Sequence, residues 1–471
     1  MGERDWLYEN DEVLATIRRY EDMMKKKEHY FFDVHEFEEI INYYIDVNNV
    51  SFAVSAAEYA YRMHPTSTAI KLKIARLLVD NGKAAESIEI LDILEKIEES
   101  DYEVFMLKGM ALSILGQESL AKQYFDKAIY LSHHEYRHEL FYEIGRSFLQ
   151  QNNYTAAIKY LNEVQKLDSL NIQVLFDLAY CYEHLDQVTL SIEFYEKYLA
   201  EEPFSDHSWF NLGNLYNKVQ NFEKAIEAYD YALAINTSYG SAYFNKANIF
   251  SFLERYDEAL ISYLEFLQIE DNHIMAHCYI ADCYEKLLRY EEASLFFQKA
   301  LILDPACADG WYGKGVVSMH LEQYEDSQKY LLHALELNND NLEYLYALGL
   351  VYMRQNDLKN SLNLFKQVTE LDPSDCEGWL HYSELLLMAN RVDEAIKILN
   401  QAHLYNFNDA YINLRLASYL FIQGKMSQAY TYLEKALSLD KECIEELYEF
   451  YPEAILDDTT NKIIKKYLNL Q

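Results

Sequence analysis

Residue types that return every 34 positions constrain this chain more than any other feature of it. Twelve copies fit one register: 34–67, 68–101, 102–135, then nine unbroken units from 138 to 443, with residues 136 and 137 inserted. Position 8 of the copy is Gly, Ala or Ser in eleven of the twelve, from Ala75 to Ala417, the exception being Ile41. Position 20 is Ala or Ser in all twelve, from Ala53 to Ala429. Bulky residues stand between them, as Trp209, Trp311 and Trp379 at position 4 and Tyr216, Phe250, Tyr284 and Tyr352 at position 11.

Small residues let two helix axes approach, and large ones fill the hollow beside the contact. Each copy therefore reads as a pair of antiparallel helices. Four of the five prolines, Pro65, Pro203, Pro305 and Pro373, fall at position 32, where a helix must stop. The middle turn reads as polar, as in Gln220–Phe222 or Glu254–Tyr256. The leading segment 1–33 contains a helical pattern over 9–28, with Val13, Leu14, Ile17 and Met24 on one side. Residues 444–471 read as two short helices broken near Pro452. Both ends are expected to cap the array, because an open repeat face is apolar.

Two successive copies carry SWFNLGNLY (208–216) and AYFNKANIF (242–250). With the 34-residue period and the small positions, these stretches resemble the tetratricopeptide repeat family over about seven-eighths of the chain. The resemblance implies an all-α fold, a right-handed superhelical α-solenoid of antiparallel helix pairs. It implies first helices on a concave face and second helices on a convex one.

Composition narrows the function. Net charge is -36, which repels nucleic acid and anionic lipid. The chain has 43 Tyr and only 5 Pro, so this acidity belongs to a folded chain. No apolar run approaches the roughly 18 residues of a membrane span. No apolar leader opens the sequence, and the six cysteines form no CxxC, which together predict free thiols and a cytoplasmic location.

Chemistry-bearing motifs are missing. The chain has no phosphate loop, no GxGxxG and no HExxH, so neither catalysis nor a cofactor is expected. His133, His134 and His138 lie around the insertion without the Cys or acidic partners of a tetrahedral metal site, and read as a polar loop. Cys278 and Cys283 are five residues apart, about 140° around a helix, and read as core thiols.

The family's concave positions are 2, 5, 9, 12 and 13 of the first helix, with position 6 beside them. Position 5 carries a ring in six copies: Tyr142, Phe176, Phe210, Phe244, Tyr312 and Tyr346. Such rings either pack between helices or offer a ladder to a peptide. Across the five positions twelve residues are acidic and five basic, which favours a neutral or basic peptide. Asn211 and Asn245 stand at position 6, Asn214 and Asn248 at position 9. The carboxylate clamp of chaperone co-factors uses Asn at such places together with three cations. Here those cation places hold Phe210, Met275 and Tyr279, so that clamp is excluded. An asparagine ladder, in which the amide pairs with peptide backbone, remains open. So does the plain alternative that these Asn belong to an average repeat.

The expected peptide-contacting patch is Asp177, Tyr180, Phe210, Asn211, Asn214, Phe244, Asn245, Asn248 and Asp282. The chain is thus expected to be a non-enzymatic protein-interaction module that takes a peptide or protein segment in its groove. The alternative is a structural scaffold that associates through its convex face or ends.

Overall fold

The computed structural model describes residues 11–468, and no strand occurs among the described residues. The chain divides into two compact units, residues up to 235 and from 236 onward. Each is an α-solenoid of antiparallel helix pairs. In the first unit the helix Asp11–Lys26 precedes first helices Val34–Asp46, Thr68–Asp80, Tyr102–Ile114, Arg137–Gln150, Ile172–His184 and Asp206–Lys218. In the second unit the first helices are Gly240–Phe252, Ile274–Lys286, Ala308–His320, Leu342–Arg354, Cys376–Met388 and Ala410–Ile422. Each is followed, after a three-residue turn, by a second helix of its own copy. The 3-10 turn His134–Tyr136 accommodates the inserted residues.

The repeated positions have repeated jobs. Every serine at position 20 donates to the carbonyl at position 8: Ser87 to Ala75, Ser191 to Ala179, Ser327 to Gly315 and Ser361 to Gly349, at 2.7–2.8 Å. A small residue is needed there because the helices touch, and the hydroxyl is tolerated because it is satisfied. Each tryptophan at position 4 donates its indole N–H to the proline carbonyl of the preceding copy. The pairs are Trp209 with Pro203 at 2.9 Å, Trp311 with Pro305 at 2.8 Å and Trp379 with Pro373 at 3.0 Å. Proline therefore ends one pair and also anchors the next.

The turn between paired helices contains a left-handed residue at position 15 in all twelve copies, with φ between +55° and +74°. It lets the chain reverse in three residues. Gly82, Gly116 and Gly424 suit it, and four Asn tolerate it. Leu288 does not: it has φ +60° and is 70 % exposed. Its Cβ is crowded against its own carbonyl, and an exposed side chain gains little from burial in return. Leu288→Gly is expected to stabilise this turn by about 0.5–1 kcal/mol. A higher urea midpoint, with slower hydrogen exchange in the amides flanking 288, is the check; an unchanged or lower midpoint refutes it.

The terminal pieces cover apolar ends. Tyr20 and Met23 join Phe32, Phe37 and Ile40 in one buried cluster. The buried stripe of the first helix is thus Ile17–Tyr20–Met23, and Met24, expected on it, is exposed. The correction is a rotation of one residue, which lets the large Tyr20 ring meet Phe32 edge-on at 6.0 Å. Lys25 and Lys26 face solvent in loose pairs with Glu21 and Asp22. At the other end, Ile444, Leu447, Ala454, Ile463 and Ile464 close over Leu433 and Ala436.

Candidate functional site

Within each unit successive first helices lie side by side, so their equivalent positions form a continuous face. The candidate residues of the first unit come from copies five and six. All five are half-buried. Asp177 sits near Tyr142 and Arg146. Burial raises its carboxyl above the usual range although both neighbours pull it down, and burial with Asp177 pushes the Tyr142 phenol up to about 12. Tyr180 meets His184 edge-on at 4.3 Å. Phe210 packs on Tyr229, ring centres 5.8 Å apart.

The asparagines have a structural partner that the sequence did not disclose. Asn211 donates its amide to the Tyr195 hydroxyl at 3.1 Å, and that hydroxyl donates to Glu183 at 3.1 Å. Asn214 accepts from the Tyr229 hydroxyl at 2.7 Å. Both tyrosines are fully buried at position 24 of the second helix. In the second unit Asn248 accepts from Tyr263, again at position 24, at 2.5 Å. Position 24 is Tyr only in copies five, six and seven, and elsewhere Phe, Leu or Ala. A buried hydroxyl needs a partner, so Tyr at position 24 and a polar residue facing it go together.

Phe244 and Asn245 are half-buried on the same face of copy seven. Phe244 packs among Phe266 (5.0 Å), His273 (5.2 Å) and Tyr279 (6.0 Å). Four of the six rings at position 5 rest on their own second helix, as Phe176 does on Tyr195 and Tyr346 on Phe365. Each leaves an edge on the first-helix face. Asp282 is surface-exposed as a residue, but its carboxyl is desolvated by its surroundings. That desolvation, with repulsion from Glu285 and Asp309, pushes it up to about 7 against the pull of Lys286.

Three of the five bases on these faces are paired with acids. Arg76 bonds Glu103 at 3.1 Å and also pairs with Glu143, Lys218 pairs with Asp186, and Lys286 pairs with Glu285 at 3.1 Å. The acids outnumber them.

A recess of about 480 Å³ opens on the first-helix face between copies nine and eleven, away from the expected patch. Tyr312, Val316 and Met319 of copy nine and Tyr346, Ala347 and Leu350 of copy ten line it. Glu343, Asp372, Asp375 and Glu377 line its rim. Glu343 and Glu377 hold concave position 2, Tyr312 and Tyr346 position 5, Val316 and Leu350 position 9 and Met319 position 12, while Asp372 and Asp375 come from the turn that ends copy ten. The signal for it was present: Val316 and Leu350 put apolar residues at position 9, where most other copies carry charge or amide.

The cysteine and histidine groups carry no metal geometry. Among the described residues no group of three or more His, Cys, Asp and Glu could hold a metal ion. Cys278 and Cys283 are both buried, and Cys278 instead meets Cys307, sulfur to sulfur at 3.9 Å. His138 bonds the Glu135 carbonyl within the 3-10 turn. No described helix is long and apolar enough to cross a membrane.

Tandem antiparallel helix pairs, with the first helices side by side, define a helical-repeat protein. Tetratricopeptide repeat models match residues 142–206, 208–239, 274–307 and 352–417, and a further one matches 102–132, 240–273, 308–341 and 410–443. The chain belongs to the tetratricopeptide repeat family. Repeats of this family are generally non-catalytic protein-interaction modules. No curated protein sequence matches the chain. Among solved structures, MamA is 25% identical over 37% of this chain and 95% of its own, with a TM-score of 0.35. The C-terminal part of a repeat protein from Cytophaga hutchinsonii is 16% identical over 51% of this chain and 98% of its own, at 0.44. YrrB, described as having an unusual peptide-binding site, is 19% identical over 40% and 97%, at 0.35.

Proposed function

We propose that the chain binds a neutral or basic peptide segment of a partner protein on its first-helix faces, and that it does so without catalysis. The observation that carries this is the recess in the second unit, where the family's concave positions supply an apolar floor and an acidic rim. Such sites are concave, mostly apolar and edged by a few polar groups. Phe244, Asn245, Asn248 and Asp282 extend the same face toward copy seven. Asp177, Tyr180, Phe210, Asn211 and Asn214 hold the corresponding positions in the first unit. The tyrosines that grip Asn211 and Asn248 fix their amides before a ligand arrives, which lowers the ordering cost of binding.

A scaffold reading draws on Ile261 (62 % exposed), Leu295 (54 %) and Ile302 (71 %), apolar side chains on the outer second helices. One experiment separates the two. Peptides selected from a random display library on the full chain are mapped by hydrogen exchange. Protection in the first helices of copies nine to eleven is expected. Protection confined to second helices, or no enrichment of any peptide, rejects groove binding.

A further inference from the structure

The recess between copies nine and eleven has features that select among peptides. Its floor is hydrocarbon and aromatic: Val316, Met319, Leu350 and the edges of Tyr312 and Tyr346. None of its lining residues is Lys, Arg or His, while four are carboxylates. Those four do not have equal freedom. Asp372 accepts from the Ser374 backbone and hydroxyl, and Asp375 caps the helix that starts at Cys376, accepting from the amides of Glu377 and Gly378. Glu343 and Glu377 are exposed at the mouth, and Glu377 is steadied by the Tyr346 hydroxyl at 3.1 Å. The walls are set in advance: Tyr312 stacks on Tyr344 at 4.8 Å, and Tyr344 in turn bonds Asp309. The acid surroundings also act on the rings. Burial and then Glu343 lead the causes that push the Tyr312 phenol up to about 12.

Resting on the peptide-binding reading above, we infer that this recess takes a large aliphatic side chain flanked by lysine or arginine, in a segment of a partner protein. The aliphatic group covers Val316 and Leu350 and gains by leaving water. The neighbouring cations meet Glu343 and Glu377 at the rim, where water still screens them, so they set preference and association rate more than total affinity. An acidic segment is repelled at the same two carboxylates, which makes the charge arrangement a selector against wrong partners.

The test uses a fluorescein-labelled peptide with Lys-Leu-Lys-Leu-Lys between Gly-Ser flanks, titrated into the full chain and read by anisotropy. Two relatives replace Leu by Ser or Lys by Glu. Each relative is expected to bind at least roughly tenfold more weakly. Two variants test the site. Val316→Asn with Leu350→Asn removes the apolar floor; position 9 already holds Asn42 in copy one, where position 24 is Ala57 and not Tyr, so the fold accommodates it. Glu343→Gln with Glu377→Gln removes the rim charge and is conservative in shape. Either pair is expected to weaken the parent peptide about tenfold, and the charge pair to flatten its salt dependence. The inference is overturned if the three peptides bind alike, or if the glutamine pair leaves the parent unchanged. Display-selected peptides that still protect first helices would then leave groove binding standing. If no peptide is selected at all, the reading beneath this inference has failed as well.

Discussion

Replacing Glu446 by Ala is expected to cost the C-terminal end of the second unit about 3 kcal/mol. Arg415 is the reason. Its side chain is only 4% exposed, on the last first helix, with its guanidinium 3.6 Å from the centre of the Phe450 ring. Glu446 supplies its closest anion at 2.7 Å, and Glu384 stands farther off at 3.9 Å. Two of the three guanidinium nitrogens, Nε and Nη1, make no hydrogen bond. Removing Glu446 leaves a buried cation with one distant partner, a state that water relieves only if the helix Ile444–Phe450 lifts away. Truncating both sides at once, with Arg415→Met and Glu446→Leu, should be far milder because no charge is stranded. Repeat arrays open in parts, so the readout is hydrogen exchange across 410–468 together with a urea melt. A loss under about 1 kcal/mol for Glu446→Ala, or a double variant as damaged as the single one, contradicts this account.

A single added methyl at Gly313 is expected to destabilise the second unit by about 1–3 kcal/mol. Gly313 lies at position 6 of copy nine, and a Cβ there would overlap the ring of Phe297, which is 1 % exposed at position 24 of the copy before. The ring is buried and must move to admit the methyl. The prediction concerns this pair and not glycine as such. At Gly213 an added Cβ would come within 2.6 Å of Tyr229. Yet Ala179 and Ala247 occupy the same position 8 beside Tyr195 and Tyr263, so the helices can separate slightly to admit it. Gly213→Ala should therefore cost less than Gly313→Ala. Position 24 is Leu in five copies, and Phe297→Leu should rescue Gly313→Ala in a double-mutant cycle. An additive cycle, with no rescue, would show that the overlap is not the cause.

The sequence made the framework legible because packing repeats. Small residues at positions 8 and 20 recur where two backbones touch, and no other arrangement asks for them every 34 residues. The Trp–Pro hydrogen bonds were within reach too, since each pair is six residues apart at fixed places in the copy. Three things were not legible. The leading helix lies outside the 34-residue register, so no second copy fixes its rotation, and Met23 and Met24 are chemically the same residue. The Asn–Tyr bonds join positions 15–16 residues apart on different helices, so they needed the pairing of helices before they could be seen. The recess was missed because attention followed amides and rings. Its marks, Val316 and Leu350, are ordinary apolar residues whose meaning depends on facing solvent.

The indole–proline bonds also give the molecule its own optical gauges. Trp209, Trp311 and Trp379 each bridge two neighbouring copies, one such joint in the first unit and two in the second. Parting of a joint breaks that bond and bares the indole to water, a change of emission colour. Chains retaining one of these three indoles, with the others and Trp6 replaced by Phe, would report on single seams as the array comes apart.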